Sequence, residues 1–507
     1  MIKPTKTSLL FFILFLWLIM LLESMGIFGQ VPDHPFPAHT RYAPHIKPSG
    51  YDQEALDSLA AAFYDRWKSV YLRNDCSDTA QYYVYFGEDA INVSEGQGYG
   101  MMITAFFAGH DPRAKDFFDG LYRFYRTHPS SINARLMDWQ QVTCDDPPGE
   151  GDDAATDGDV DIAFALLLAH AQWGSDGEID YLSAAKAIIR AIMQDEVNPL
   201  TCTVKLGDWS TEDNTSYYYA SRTSDFILDH FRTFACYTGD SRWQRVTDTC
   251  LALTERMQRK YALVTGLLPD FIVDVRTDPR PAPPQFLEGD HDGDYYYNAC
   301  RVPWRLCTDY LTSGDRRSRD AVLRILRWLR QHTGGDVDRI SSGYRLDGQA
   351  LHDWHDGSFI APFAVGAMAD TAAQPWLDAL FAELLWEKED PYGDYYSNTL
   401  ILLSLLVISG NYWIPACSPS ALRPPAAPPL FSVYPTCTTG PVRITVVEND
   451  PGHVLECRIV DMSGKIMRQY RIGGKVRSLD LSGLPGGTYL IMLADGARTD
   501  TRRIVKR

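Results

Sequence analysis

Beyond its N-terminal segment, this chain of 507 residues has no apolar run long enough to cross a bilayer; the stretch 399–409 is too short. It also lacks a basic balance. The net charge is −17, and because residues 431–507 carry 12 Lys+Arg against 7 Asp+Glu, the remainder stands at −22. An acidic body of that size argues against nucleic acid or an anionic membrane as partner. Cysteines number ten and are scattered without the paired spacing of a metal site. Cys300 and Cys307, seven apart on one expected helix face, read as core thiols rather than a bridge.

Apolar residues are plentiful, at 45% with 12 Trp, 28 Tyr and 22 Phe, enough for a large core and for aromatic binding platforms. At the N-terminus, Lys3 and Lys6 precede an apolar stretch over 9–22, followed by Ser24, Gly26 and Gly29. That stretch is short for a membrane span and fits a signal peptide over 1–29, with a membrane anchor as the other reading. Export would permit disulfides, whose pairing the spacing does not give.

Twelve helical segments are expected between 52 and 409: about 52–73, 95–109, 112–128, 159–173, 180–195, 224–239, 241–259, 299–313, 315–332, 357–370, 373–389 and 395–409. The odd-numbered ones are amphipathic and charged, as in RDAVLRILRWLRQH. Several even-numbered ones are apolar all round, as in IAFALLLAHA and TLILLSLLVISG. Alternating surface and buried helices imply six hairpins with their inner members packed together, an (α/α)6 barrel. Polar and aromatic clusters fall at the N-terminal ends of the inner helices: VSEGQGYG, TDGDVD, SRTSDF, DYYYNACR, HDWHDGS and YGDYYSN. Parallel inner helices would gather all six into one acidic, aromatic cleft. Simple helix capping is the competing reading, since Asp, Ser and Asn favour such positions.

The segment 154–173 sets Asp157, Asp159 and Asp161 at the mouth of a core helix, where ionised carboxylates need partners, a metal or a task. The start resembles a calcium loop, but Ile162 stands where glycine is required and Leu168 where the bidentate glutamate belongs, which argues against calcium. Asp159 and Asp161 are expected to support the helix start. Glu95 is a lone acid among Gly, Tyr, Met and Ser, a setting in which burial raises a carboxyl pKa as a general acid requires. His352 and His355 could ligate a metal, but no third ligand is indicated, so they are expected to line the cleft or the core. No metal and no cofactor is expected.

VSEGQGYGM, ATDGDVDIAFALLLAHAQW and NACRVPWRLCTDYL together resemble glycoside hydrolase family 8, over about 42–415. The resemblance implies an inverting endo-glycanase on an (α/α)6 barrel, acting on β-1,4-linked glucan, chitosan, xylan or mixed-linkage glucan. It implies Glu95 as proton donor and Asp157 as the residue holding the distorted sugar. Many members place an aspartate base two residues before the Cys/Ser-Arg pair, where this chain has Asn298, whose amide cannot accept a proton. A subgroup of chitosanases and licheninase- or endoglucanase-type enzymes has Asn there and takes its base from an upstream loop glutamate. Glu288, ten residues before Asn298, matches that role, with Asn298 and Arg301 positioning the attacking water and Asp290, Asp292 and Asp294 as rivals. Inversion needs room for that water, so the Glu95 and Glu288 carboxyls are expected to lie about 6.5–9.5 Å apart. Trp139, Trp209 and the run Tyr295, Tyr296, Tyr297 are candidate sugar-stacking surfaces.

A Pro-rich linker over 416–430 reads as a semi-rigid spacer, and 431–507 turn to alternating strands with the turn signals MSGK and LPGG. VYPTCTTGPVRI, DLSGLPGGTYLIML and RRIVKR resemble the C-terminal sorting domain of the type IX secretion system. That resemblance implies export through the periplasm, then release or surface attachment. A carbohydrate-binding β-sandwich is the alternative for this module, which shows no aromatic platform. The whole reads as a secreted endo-β-1,4-glucanase, expected monomeric, with polysaccharide and the secretion machinery as partners. A chitosanase and a catalytically inactive glycan-binding protein remain as alternatives.

Overall fold

The computed structural model describes residues 31–144, 152–387 and 394–417 of the larger unit, and 431–434, 437–438, 441–446, 455–461, 465–472, 476–494 and 499–506 of the smaller. The expected signal peptide and all but the start of the linker lie outside them. The chain divides into two compact units, 1–421 and 422–507.

Among the described residues, twelve helices of eleven residues or more build the first unit, beside a single short turn of helix at Thr215–Tyr218: α1 Gln53–Tyr71, α2 Ser94–Phe106, α3 Ala114–Thr127, α4 Thr156–Trp173, α5 Tyr181–Ala191, α6 Leu228–Thr238, α7 Arg242–Lys260, α8 Val302–Ser313, α9 Arg316–Thr333, α10 Gly357–Ala367, α11 Gln374–Glu387 and α12 Tyr395–Ile408. Each corresponds to an expected segment. The outer helices obey amphipathic logic: α9 buries Val322, Ile325, Leu326 and Leu329 and turns its arginines outward. Asp315 caps its start through Arg317 N, and Gly334 ends it at φ 70°. The inner helices are buried nearly throughout, as in α12. Each inner helix packs beside the next, α2 to α4, α6, α8, α10 and α12, while the odd-numbered helices cover them from outside. A hydrogen bond from Tyr395 at the start of α12 to Glu95 at the start of α2 closes the ring. This is the (α/α)6 barrel.

Two starts differ from the sequence expectation. Before α6, Thr223–Asp225 form a 3-10 turn, and before α8, Ala299–Arg301 do the same, with Pro303 at the head of the helix proper. The second turn sets Arg301 in the barrel mouth, and Ser224 Oγ of the first accepts from its Nη2 at 2.9 Å. The first two inner helices touch at glycines. A Cβ on Gly158 would stand 2.3 Å from Ser94 Oγ and 2.6 Å from its carbonyl carbon, and one on Gly98 would stand 2.9 Å from Asp161 Cβ. That approach is open only to hydrogen in place of a side chain. Two disulfides, Cys76–Cys144 and Cys236–Cys417, tie surface segments, while Cys300 and Cys307 are free and buried, as expected of core thiols.

The second unit is all β. Strands β1 Phe431–Tyr434, β2 Cys437–Thr438, β3 Val442–Val446, β4 Leu455–Asp461, β5 Ile466–Ile472, β6 Val476–Leu479, β7 Gly487–Ala494 and β8 Thr499–Lys506 form two sheets, ordered β6-β3-β1 and β5-β4-β7-β8-β2. Alternation explains the shared core: Val442 and Ile444 of one sheet pack with Cys457, Ile459, Ile491, Leu493 and Ile504 of the other. The sandwich-like module has the expected form. No described helix is long and apolar enough to cross a membrane.

Candidate active site

Five of the six expected clusters, those at the starts of α2, α4, α6, α8 and α12, meet in one cleft of about 720 Å³, whereas HDWHDGS before α10 does not line it. Its lining includes Ser94 and Glu95 from α2, Asp157 from α4, Arg222 before α6, Glu288, Tyr297, Asn298 and Arg301 before α8, and Tyr396 from α12. Capping accounts for little of this clustering. Asp356 and Asp394 do cap α10 and α12, but α2, α4, α6 and α8 begin without a side-chain cap. Glu95, Asp157, Asn298 and Arg301 at or just before these starts line the cleft instead.

Glu95, the second residue of α2, has 16% of its side chain exposed. Its Oε2 lies 2.5 Å from Arg301 Nη1, and its Oε1 accepts from Tyr395 OH at 3.1 Å. Burial, reinforced by the Asp157 charge and opposed by Arg301, pushes its pKa up to about 7. A proton is thus retained where a general acid needs one. Asp157 behaves in the opposite way. Although it is buried, Arg222 at 3.5 Å and Arg301 at 3.0 Å hold its carboxyl below the usual range. Two neighbouring acids are therefore pushed apart in pKa, which assigns one to the neutral and one to the ionised form.

Glu288 stands in the same cleft with 46% of its side chain exposed. Asn298 Nδ2 donates to its Oε2 at 2.7 Å and Arg222 Nη2 to its Oε1 at 3.0 Å. Arg301 Nη2 in turn donates to Asn298 Oδ1 at 2.9 Å. Glu95 and Glu288 are thus bridged by a guanidinium and an amide. The three rivals have other work. Asp292 is buried and accepts the N–H groups of Leu287, Glu288 and Gly289, which fixes the loop carrying Glu288. Asp290 accepts from Gln285, and Asp294 pairs with His291 at 2.9 Å.

The expectation that Asp159 and Asp161 support their own helix start is corrected, since that start has no side-chain cap. Asp161 is fully buried and reaches across the core to Arg305 at 2.8 Å and His230 at 3.0 Å, tying α4 to α8 and α6. Asp159 accepts Met137 N at 2.9 Å, anchoring the loop that carries Trp139. Burial pushes Asp159 well up, and Glu196 beside it likewise, with the Asp159 charge adding to the shift.

Trp139, Trp209 and Tyr297 line the cleft. Tyr295 does not: it is fully buried against Phe359 and Phe363. His352 and His355 do not meet as a ligand pair, because His352 Nε2 faces Tyr296 OH and His355 Nε2 faces Glu383. Among the described residues, the one trio spaced to hold a metal is Asp75, Cys76 and Cys144, and its two thiols are joined as a disulfide.

Four contributors escaped the sequence reading. Arg222 and Tyr396 sit inside clusters singled out there, SRTSDF and YGDYYSN, but neither stood out individually. Tyr395 is likewise hidden in that second cluster. Asp270 carries no local signal at all. It is buried, with its pKa raised to about 7 by that burial, and accepts the backbone N–H groups of Tyr296, Asn298 and Ala299. The turn presenting Asn298 and Arg301 is thereby held from below.

Comparison with known proteins gives this geometry its relatives. Residues 54–410 match the family model for glycosyl hydrolases family 8, and 432–507 match that for the secretion system C-terminal sorting domain. A β-glucanase of Niallia circulans is 43% identical over 383 residues, covering 75% of this chain and 92% of that protein. An endoglucanase of Bacillus sp. (strain KSM-330) is 36% identical, covering 77% and 84%. The apo structure of a β-1,3-1,4-glucanase from Paenibacillus sp. X4 superposes with a TM-score of 0.72 at 42% identity, covering 76% of this chain and all of that one.

Proposed function

The chain belongs to glycosyl hydrolases family 8, and from that premise we propose that it cuts mixed-linkage and β-1,4-linked glucan internally, with inversion at the anomeric carbon. The observation that carries this reading is the arrangement of Glu95 and Glu288. They face one cleft from two elements and are linked through Arg301 and Asn298 rather than directly.

Glu95 donates its proton to the glycosidic oxygen as the bond breaks. Glu288 takes a proton from water, which attacks the opposite face of the ring. The amide of Asn298 and the guanidinium of Arg222 orient the Glu288 carboxylate toward that water. Asp157, held ionised by Arg222 and Arg301, binds the hydroxyls of the distorted sugar at the cleavage point and stabilises the cationic character that develops there. Trp139, Trp209, Tyr297 and Tyr396 offer ring faces to the neighbouring sugars. The mechanism calls for a carboxyl separation of about 6.5–9.5 Å.

The sorting domain marks the protein for secretion or attachment at the cell surface. Passage through the periplasm as a monomer, with the N-terminal segment as the export signal, completes the proposal.

Reducing-sugar release from lichenan, carboxymethylcellulose and chitosan tests the reading. Turnover of lichenan with the α-anomer formed first is the expected result. Turnover of chitosan alone would reassign the substrate, and binding without turnover on all three would make this a glycan-binding protein.

A further inference from the structure

Trp354, in the HDWHDGS cluster before α10, is 46% exposed, large and apolar, and it is not among the residues that line the cleft. Isolated exposed apolar residues are ordinary. This one is built into a structure. Its ring stacks on His352, with centroids 4.7 Å apart and planes at 28°. His352 lies against Tyr296 at 5.9 Å and faces its hydroxyl at 3.3 Å. Tyr296 meets Tyr297 edge-on at 4.8 Å, and Tyr297 lines the cleft, its hydroxyl bonded to Asp356 at 2.7 Å. The loop is clamped at both edges of the platform. Trp354 O accepts Ser342 N at 2.9 Å, and Ser342 Oγ accepts Asp356 N at 2.9 Å.

Position in the ring gives the platform its direction. Trp139 lies on the connection entering α4, and Trp354 on the connection entering α10. In the order α2, α4, α6, α8, α10, α12, these two helices stand three places apart, on opposite sides. With neighbouring axes about 8–10 Å apart, opposite members of a six-membered ring are about 16–20 Å apart. A polymer that crosses the mouth over Glu95 and Glu288 leaves Trp139 on one side and meets the Tyr297–Trp354 row on the other.

We propose that Trp354, supported by His352, is a distal sugar-binding subsite that stacks a glucose unit of a long β-glucan beyond the cleft. This rests on the proposed function. The occupant follows from continuity with the cleft and from chemistry. A rigid aromatic face with polar neighbours suits a pyranose ring, which has an apolar face and polar edges. Only chains long enough to span the mouth reach it.

The test compares wild type with Trp354→Ala and Trp354→Phe on polymeric lichenan and on a short cello-oligosaccharide. Trp354→Ala should raise KM on the polymer about five- to tenfold, the scale of one aromatic contact. It should leave kcat, and both constants on the short substrate, unchanged. Trp354→Phe should restore the polymer KM. His352→Ala should act in the same direction, an independent check should Trp354→Ala fold poorly. An unchanged polymer KM in an active enzyme, or an equal rise on both substrates, overturns the subsite. A wild type that turns over no glucan instead overturns the proposed function, and the subsite with it.

Discussion

Asn298 Nδ2 donates to Glu288 Oε2 over 2.7 Å. The amide does what a carboxylate at that position could not: it holds a second acid close without repelling it. Glu288→Gln should therefore remove the proposed base and lower kcat by about 10²–10⁴-fold. The fold should be unaffected, because Asp292 and not Glu288 secures the loop. Asn298→Asp sets two carboxyls against each other and should raise the pKa that governs the acidic limb of the pH–rate profile. Steady-state rates across pH for both variants check this; near-normal activity in Glu288→Gln would exclude it as base.

Activity should fall as pH rises through about 7, since Glu95, as the proposed proton donor, acts in its protonated form and its pKa is raised to that value. Tyr395 donates to the ionised form and so pulls this pKa down. Tyr395→Phe removes that donor, and the basic limb of kcat should move to higher pH. A limb that stays put or moves lower would disconnect Glu95 from it.

Much of this was legible in the sequence, for definite reasons. Alternation of charged and apolar helices is a consequence of burial, so six hairpins could be counted. Glu95 and Asp157 sit in distinctive local strings. Asp270 and Arg222 act on residues far away in sequence, a relation that no local pattern encodes. The roles expected of Asp159 and Asp161 failed for the same reason: their partners Met137, Arg305 and His230 lie on other elements.

Asp159 and Glu196 should make the barrel sensitive to alkali. Both folded pKa values are raised, so the stability they give as neutral acids is full below about pH 4, the unfolded value, and is lost as pH rises through the folded ones. Glu196→Gln removes one of the two, and Tm should then decline less than in wild type between about pH 5 and pH 8. Thermal melts across that range measure it; parallel declines would sink the argument.

Gly158→Ala should harm catalysis more than stability. The added methyl meets Ser94 Oγ at 2.3 Å, and relief requires α2 and α4 to separate. Overpacking of this kind costs about 1–3 kcal/mol. The same shift moves Glu95 relative to Asp157, and a displacement of that scale lowers kcat by about ten- to a hundredfold. A normal kcat alongside a lowered Tm would show that the two acids do not depend on this contact.

The bond from Tyr395 to Glu95 joins residues 300 apart in the chain. A ribosome must therefore make nearly the whole barrel before Glu95 has all its neighbours, and the first and last inner helices must then find each other. Catalytic competence arrives at the end of folding rather than accumulating along it.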